Sequence, residues 1–348
     1  VVDPRPTLET VASRAEVSRQ TVSNVINAPH LVRPETIERV RAVIEELGYR
    51  PHGAARQLRT RRSQVIGLRV TPTHDGINGA VLDRFLHSLT EQAQVRGYRV
   101  MLFTAPDDDG EIAQYDELLD TVEIDAFVLT STHHDDARTR WLAEHEVPFV
   151  TFGRPWDQSG APAQHAWVDV DGQAGTRAAV EHLASLGHRT IAYVGWPEGS
   201  DTGDDRRRGW RRAMRELGVG DAELDALDVG VPDGIPHGAA AARRLMDLVS
   251  PTAVVCASDS LALGVLSATG ADLGSPTRLA VVGFDDTPVA RAVGLSSIAQ
   301  PLTEAAGRTL DLLLEQLAGR RTPDPAAERA VLLAPHLVTR ASSTPRAR

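Results

Sequence analysis

From residue 64 onward the chain repeats one pattern, a short apolar run followed by an amphipathic helix. That alternation restricts it to parallel sheets whose two faces are both covered by helices. Candidate strands are VIGLRV from 65, YRVMLFT from 98, DAFVLT from 125, VPFVTF from 147, HAWVDV from 165, TIAYVG from 190, TAVVCA from 252 and LAVVGF from 279. Helical periodicity fills most of the gaps, as in RAAVEHLASLG from 177 and LDLLLEQLAG from 310. So many strands suit two sheets better than one. The polar ASSTPRAR at 341–348 reads as a frayed tail.

The first 50 residues follow a different rule and read as three short helices. Thr7 caps a run from Leu8 to Arg14, and Ser18 caps a second run that opens with Arg19, Gln20 and Thr21. The third begins with Pro34 at its first position, carries Ile37, Val40, Ile44 and Leu47 on one face, and stops at Gly48. Two helices joined by the short turn AEVS form a helix-turn-helix, which places the first residues of the second helix against base edges in the major groove. Arg19, Gln20 and Asn24 share one face there; Arg pairs with guanine, and Gln or Asn with adenine. Thr21, Ser23 and Asn27 suit phosphate oxygens, which set register without reading sequence, and the capping Ser18 is counted with them among the DNA-binding residues. A capped surface helix with a solvated polar face would show much of the same pattern.

Charge separates the two regions. The net charge is −10, yet residues 1–63 hold 11 Arg against 7 acidic residues, whereas the remainder holds 26 Arg against 40. A basic head on an acidic body points to DNA at one end and a different partner at the other. All 37 basic residues are Arg. The absence of Lys removes Schiff-base enzymes, the P-loop lysine and the kinase lysine. A single cysteine, Cys256, inside an apolar strand, rules out a disulfide framework or a Cys-rich zinc module. With no signal-peptide pattern and no membrane-length apolar stretch, the expected location is cytoplasmic.

The stretches TLETVASRAEVSRQTVSNVIN, PETIERVRAVIEELGYRP and AARQLRTRRS together resemble the headpiece and hinge of the lactose and galactose repressor family. DVDGQAGTRAAVEHLASLGHRTIAYVGWPEGSDTGDDRRRGW, CASDSLALGVLSA, LAVVGFDD and SIAQPLTEAAGRTLDLLL extend the resemblance through the body. It implies a helix-turn-helix domain at 1–50, a hinge at 51–63 and a ligand-binding and dimerisation domain at 64–340. That last domain would be of the periplasmic-binding-protein type, an α/β fold of two Rossmann-like lobes with parallel sheets. The lobes would comprise about 64–155 with 290–318, and about 156–288 with 320–340, with crossings near 154–157, 285–292 and 317–322. In the hinge the resemblance assigns Leu58 as an apolar wedge in the minor groove, with Ala55 on the same face and Arg56 beside it. The alternative is a linker leucine packed on the body, and the bracketing Arg56, Arg59, Arg61 and Arg62 argue against it. His52 and Gly53 depart from the family's usual wording.

Open parallel sheets bind ligands at the carboxyl ends of their strands. Arg154, Asp171, Ser258, Asp259 and Asp285 follow candidate strands, Arg206 matches the family's effector-binding arginine, and Gln300 lies in the matching SIAQP stretch. Carboxylates and Arg that take hydroxyls in pairs, with Trp156, Trp167 or Trp196 against a ring, supply the chemistry a neutral sugar requires. Asp171 is equally suited to capping the next helix, and Asp286 is assigned to structure. The loop after the first strand lacks the family's usual aromatic residue and offers His74 and Asp75 instead, which suggests a larger or differently held effector.

The expected partners are therefore pseudo-palindromic operator DNA, a sugar or oligosaccharide effector and a second copy of the chain, with no membrane partner, cofactor or metal. A purine or other small-metabolite effector, and a solute-binding transport protein, are the rival readings. Enzyme motifs are missing: there is no GxSxG, HExxH or P-loop. HHDD at 133–136 reads as a solvated helix start and DDDG at 107–110 as a turn and cap.

Overall fold

The computed structural model describes residues 6–49, 62–70, 79–122, 124–156, 165–269, 279–319 and 329–343. The chain divides into two units, Val1–Ser63 and Gln64–Arg348.

In the first unit, α1 spans Leu8–Arg14, α2 Arg19–Asn27 and α3 Pro34–Glu46, with a 3-10 turn at Pro29–Leu31 between the last two. Thr7 closes a capping box, accepting from the Thr10 N–H while its own N–H donates to the Thr10 hydroxyl. The chain then turns through Glu16 at φ 54°, a left-handed conformation held as Val17 N–H donates to the Ala12 carbonyl. Gly48, at φ 60°, ends α3 as expected of a C-terminal glycine. Val11, Val22, Val25, Val40, Val43 and Tyr49 form a small core. Because Val22 and Val25 point into it, the polar residues of α2 are left at the surface.

The second unit holds two six-stranded sheets among its described residues. The first is built from β1 (Val65–Arg69), β2 (Arg99–Phe103), β3 (Ala126–Leu129), β4 (Phe149–Phe152), β5 (Ala166–Val170) and β11 (Ala330–Leu333), in the order β11-β5-β4-β3-β1-β2. Every pair in it is parallel. The second is built from β6 (Ile191–Gly195), β7 (Asp228–Gly230), β8 (Ala253–Cys256), β9 (Ala280–Phe284), β10 (Ser296–Ala299) and β12 (His336–Val338), in the order β12-β10-β9-β8-β6-β7. Among the described strands, only the edge strand β12 pairs antiparallel, with β10.

The chain crosses between the sheets after Val170, at Gln300–Pro301 and between Leu333 and His336. These positions differ from the 154–157, 285–292 and 317–322 that the resemblance suggested. β5 belongs to the first sheet because Val150 pairs with Ala166, and β10 to the second because Ser296 pairs with Val282. The helix Leu302–Leu317 returns to the first sheet, burying Leu310 and Leu313 with Phe85, Leu89 and Ile66. On the opposite face Phe103, Tyr115, Phe127 and Leu142 form another core. The second lobe is built around Trp210, Tyr193, Phe284 and Ile298. Each such fully buried large side chain contributes roughly 1.5–3 kcal/mol.

The residues expected to fray include three that are ordered. Ser342 donates its hydroxyl to the Val281 carbonyl and accepts from the Ser296 N–H, and Ser343 bonds Ser296 and His182. Ala341–Ser343 is therefore stitched to β9 and β10. No helix among the described residues is long and apolar enough to cross a membrane.

Candidate functional site

Two sets of side chains carry the chemistry, one in each unit. In the first, Ser18 caps α2, accepting from the Thr21 N–H at 3.0 Å and bonding the Thr21 hydroxyl at 2.9 Å. This leaves Arg19 and Gln20 exposed on the first turn. Gln20 Nε2 donates to Asn24 Oδ1 at 3.0 Å, so the two amides form one polar unit across a helical turn. Asn27 turns back, donating to the Ser23 carbonyl at 2.9 Å. Its amide is tied to its own helix. The hinge residues Ala55, Arg56 and Leu58, like His74 and Asp75 after β1, lie outside the described residues.

In the second unit, a cavity of about 380 Å³ lies between the carboxyl ends of the two sheets. Of the effector residues expected from sequence, Trp156, Arg206 and Gln300 line it. Phe152, Phe284, Asp169, Asp205 and Thr130–Thr132 also line it, and none of these is among the residues expected from sequence. The aromatic residues carry a signal that could identify them: Phe152 and Phe284 are the last residues of their strands, where a parallel sheet exposes side chains to a crevice.

The remaining candidates stand behind the wall. Asp171 caps the helix Gly172–Ser185, accepting from the Ala174 N–H at 2.9 Å. Ser258 caps the helix Asp259–Ala268, and its hydroxyl donates to Asp233 at 2.5 Å. Asp259 is wholly buried and accepts from Thr287 N–H at 2.7 Å and Ser297 Oγ at 2.6 Å. Burial pushes its carboxyl up to about 6 against those hydrogen bonds. Trp196 packs beneath Arg206, its ring centroid 5.2 Å from the guanidinium. Arg154 is bound to Asp169 Oδ2 at 2.5 Å and lies on the ring of Trp156 at 4.9 Å, so one face of that indole is already covered.

Asp285 supports the wall from behind. It accepts from Gln300 Nε2 at 2.6 Å and stands 3.7 Å from Arg206 Nη2. Its backbone is left-handed, at φ 109°, and so is that of Asp286 at φ 49°; strained backbone of this kind is concentrated at ligand sites. Burial pushes the Asp285 carboxyl up to about 7, outweighing the attraction of Arg206. Asp286 pairs with Arg291 at 2.8 Å and Arg340 at 2.6 Å, a structural role. Arg206 itself sits over Phe284, its guanidinium carbon 3.7 Å from the ring centroid, and donates to the Ala257 carbonyl.

Charges around the cavity are mutually compensated. Asp169 faces Arg154; Asp205 accepts from Gln173 at 2.9 Å and lies 3.4 Å from Arg154; Arg206 faces Asp285. The donor groups Trp156 Nε1, Trp196 Nε1 and Arg206 Nε are buried without a hydrogen-bond partner among the described residues.

Away from the cavity, Asp108, His133 and Asp136 bring ligand atoms within 4.8 Å of one another. Arg138 already occupies that cluster, 2.6 Å from Asp136, 2.9 Å from Glu111 and 3.5 Å from Asp108. The HHDD stretch thus opens a helix capped by Asp136 and tied down by a buried arginine.

Known proteins match both units of the chain. Residues 7–52 match the profile of bacterial regulatory proteins of the lacI family, and residues 180–343 match a periplasmic binding protein-like domain. The HTH-type transcriptional regulator CelR of Thermobifida fusca is 36% identical over 352 residues, covering 97% of this chain and 98% of that protein. A solved complex of the transcriptional regulator CelR with cellobiose is similar over 97% of this chain and 100% of its own, at 32% identity and a TM-score of 0.68. The lac repressor dimer bound to operator and the anti-inducer ONPF superposes with a TM-score of 0.79 at 25% identity, covering 97% of this chain and 99% of that one. A helix-turn-helix head on a two-lobed ligand-binding body, matched along nearly its entire length, places this chain in the lacI family of bacterial regulatory proteins, as a transcriptional regulator and not an enzyme.

Proposed function

We propose that the protein is a homodimeric repressor that binds a pseudo-palindromic operator in the cytoplasm and responds to a neutral sugar or oligosaccharide. The first turn of α2 reads bases through Arg19, Gln20 and Asn24, while Ser18, Thr21 and Ser23 meet phosphates. Arg56 and Leu58 of the connector enter the minor groove between paired heads, a role carried over from the family resemblance.

The observation that carries the effector reading is the compensated wall of the cavity. Phe152, Trp156 and Phe284 offer apolar surface, and the nearby cations, Arg206 in the wall and Arg154 behind it, each already face a carboxylate. A phosphorylated or carboxylated ligand would need a spare cation, whereas a polyhydroxyl ring exchanges hydrogen bonds with Gln300, Thr130 and the buried indole and guanidinium N–H groups without adding charge. The solved CelR relative is a cellobiose complex. Ligand binding acts on DNA only through its different affinities for the two lobe arrangements.

A thermal-shift screen of the full chain against glucose, cellobiose, maltose, raffinose and adenine tests this reading. At least one neutral sugar is expected to raise Tm and to weaken binding to a duplex obtained by randomised-site selection. A response to adenine with none to the sugars would replace the sugar effector by a purine.

A further inference from the structure

Arg154 follows β4 in the first lobe, and its guanidinium meets four groups at once. Nε donates to Asp169 Oδ2 at 2.5 Å and Nη2 to the Val170 carbonyl at 3.2 Å, both at the end of β5 where the chain leaves the lobe. The same Nη2 lies 3.4 Å from Asp205 Oδ2, which belongs to the second lobe. The guanidinium carbon lies over the ring of Trp156, 4.9 Å from its centroid, and Trp156 is a cavity residue that is nine-tenths buried. Another tie between the lobes, from His134 N–H to Asp201 at 2.9 Å, joins two residues outside the cavity wall.

We propose that Arg154 is the positioning residue that converts occupancy of the cavity into movement of the lobes. It does not hold the ligand. A ligand against Trp156 fixes the indole, the indole fixes the guanidinium lying on it, and the guanidinium fixes Asp205 across the cleft and Val170 at the crossing. Arginine is suited to this because its planar group stacks and donates along several in-plane directions together, which a lysine ammonium does not. The backbone beside it is equally constrained. Gly153 stands at φ 124° where an added Cβ would lie 2.3 Å from the Thr132 hydroxyl, and that hydroxyl donates to the Arg154 carbonyl at 3.1 Å. The loop presenting Arg154 is therefore anchored to its own lobe, while the guanidinium reaches across.

This inference rests on the proposed ligand-controlled function, and the test separates the two. The full-length protein is titrated with its selected operator duplex, with and without saturating cellobiose, maltose or raffinose, and the ratio of the two Kd values is the coupling factor. A wild-type factor of about 5–150 is expected for at least one sugar; a factor of one for all three would overturn the sugar reading and this inference together. Given a responsive sugar, Arg154→Gln is expected to bring the factor close to one while sugar affinity of the free protein and operator affinity without sugar each change by less than about threefold, well inside that range. Arg154→Lys should recover part of the factor, and adding Asp205→Asn to Arg154→Gln should lower it no further. A wild-type factor in Arg154→Gln, or loss of sugar binding in both Arg154 variants, would overturn the assignment; if Arg154→Gln does not fold, the Arg154→Lys factor decides, and a wild-type value there overturns it.

Discussion

Gln300 donates a 2.6 Å hydrogen bond to Asp285, and the two residues sit where β10 and β9 deliver the chain to the cavity. Burial pushes the Asp285 carboxyl up to about 7, far above the value of about 4 for an unfolded aspartate. A carboxyl whose pKa is higher folded than unfolded holds its proton more tightly in the native state. Its contribution to stability is present at low pH and is lost as pH rises from about 4 through about 7. Asp285→Asn removes that titration. The Tm of the variant relative to wild type should therefore rise between pH 5 and pH 8, and a difference that stays constant across this interval would count against the assignment.

Arg206 is buried between the rings of Phe284 and Trp196 and faces Asp285. Arg206→Ala leaves a buried carboxylate without its cation, which costs about 3–5 kcal/mol. Chemical denaturation should show that loss, smaller at pH 5 than at pH 8 because the carboxyl is then protonated. Arg206→Lys keeps the charge but not the guanidinium's contact with the Phe284 ring. It should fold and bind operator normally while losing the sugar-induced Tm shift.

On α2, the bond from Gln20 to Asn24 makes the two amides a unit. Gln20→Ala should relax base preference at one position of each half-site by about 1–3 kcal/mol. It should also alter the preference attached to Asn24, since the Asn24 amide loses the partner that orients it. Randomised-site selection with each single variant and the double variant reads this directly; effects that simply add would show that the residues act separately.

Gly172 opens the helix beyond the first crossing, and an added Cβ there would stand 2.8 Å from Asp205 Oδ2 and 3.0 Å from Arg206 Cγ. Gly172→Ala must displace one of these cavity residues. Overpacking of this kind costs about 1–3 kcal/mol. Calorimetry should find the variant less stable and its sugar affinity reduced, with operator affinity in the absence of sugar unchanged.

The head is legible in the amino-acid sequence because its signals are local. Thr7 and Ser18 declare helix starts, Pro34 and Gly48 bracket a third helix, and the apolar spacing of each fits a single face. The body is legible strand by strand but not in its partition. Which sheet receives Ala166–Val170 depends on pairing with Val150 and its neighbours, a contact that periodicity along one segment does not encode. The same limit applies to the cleft. A polar residue after a parallel strand is placed near the ligand site, yet Asp171 and Ser258 satisfy backbone donors at helix starts, and Asp259 serves Thr287 and Ser297. Phe152 and Phe284 escape notice for the opposite reason: an aromatic residue closing an apolar run looks like core.

The second crossing, at Gln300–Pro301, has a consequence for how the protein is made. β11 joins the first sheet beside β5, and the helix Leu302–Leu317 covers the surface formed by Ile66, Leu89 and their neighbours. During translation the first lobe thus emerges almost complete yet uncovered, and it waits for the last segments of the polypeptide before its apolar bed is sealed. Nascent chains stalled before residue 302 should bind chaperones through that bed, while those released after β12 should not.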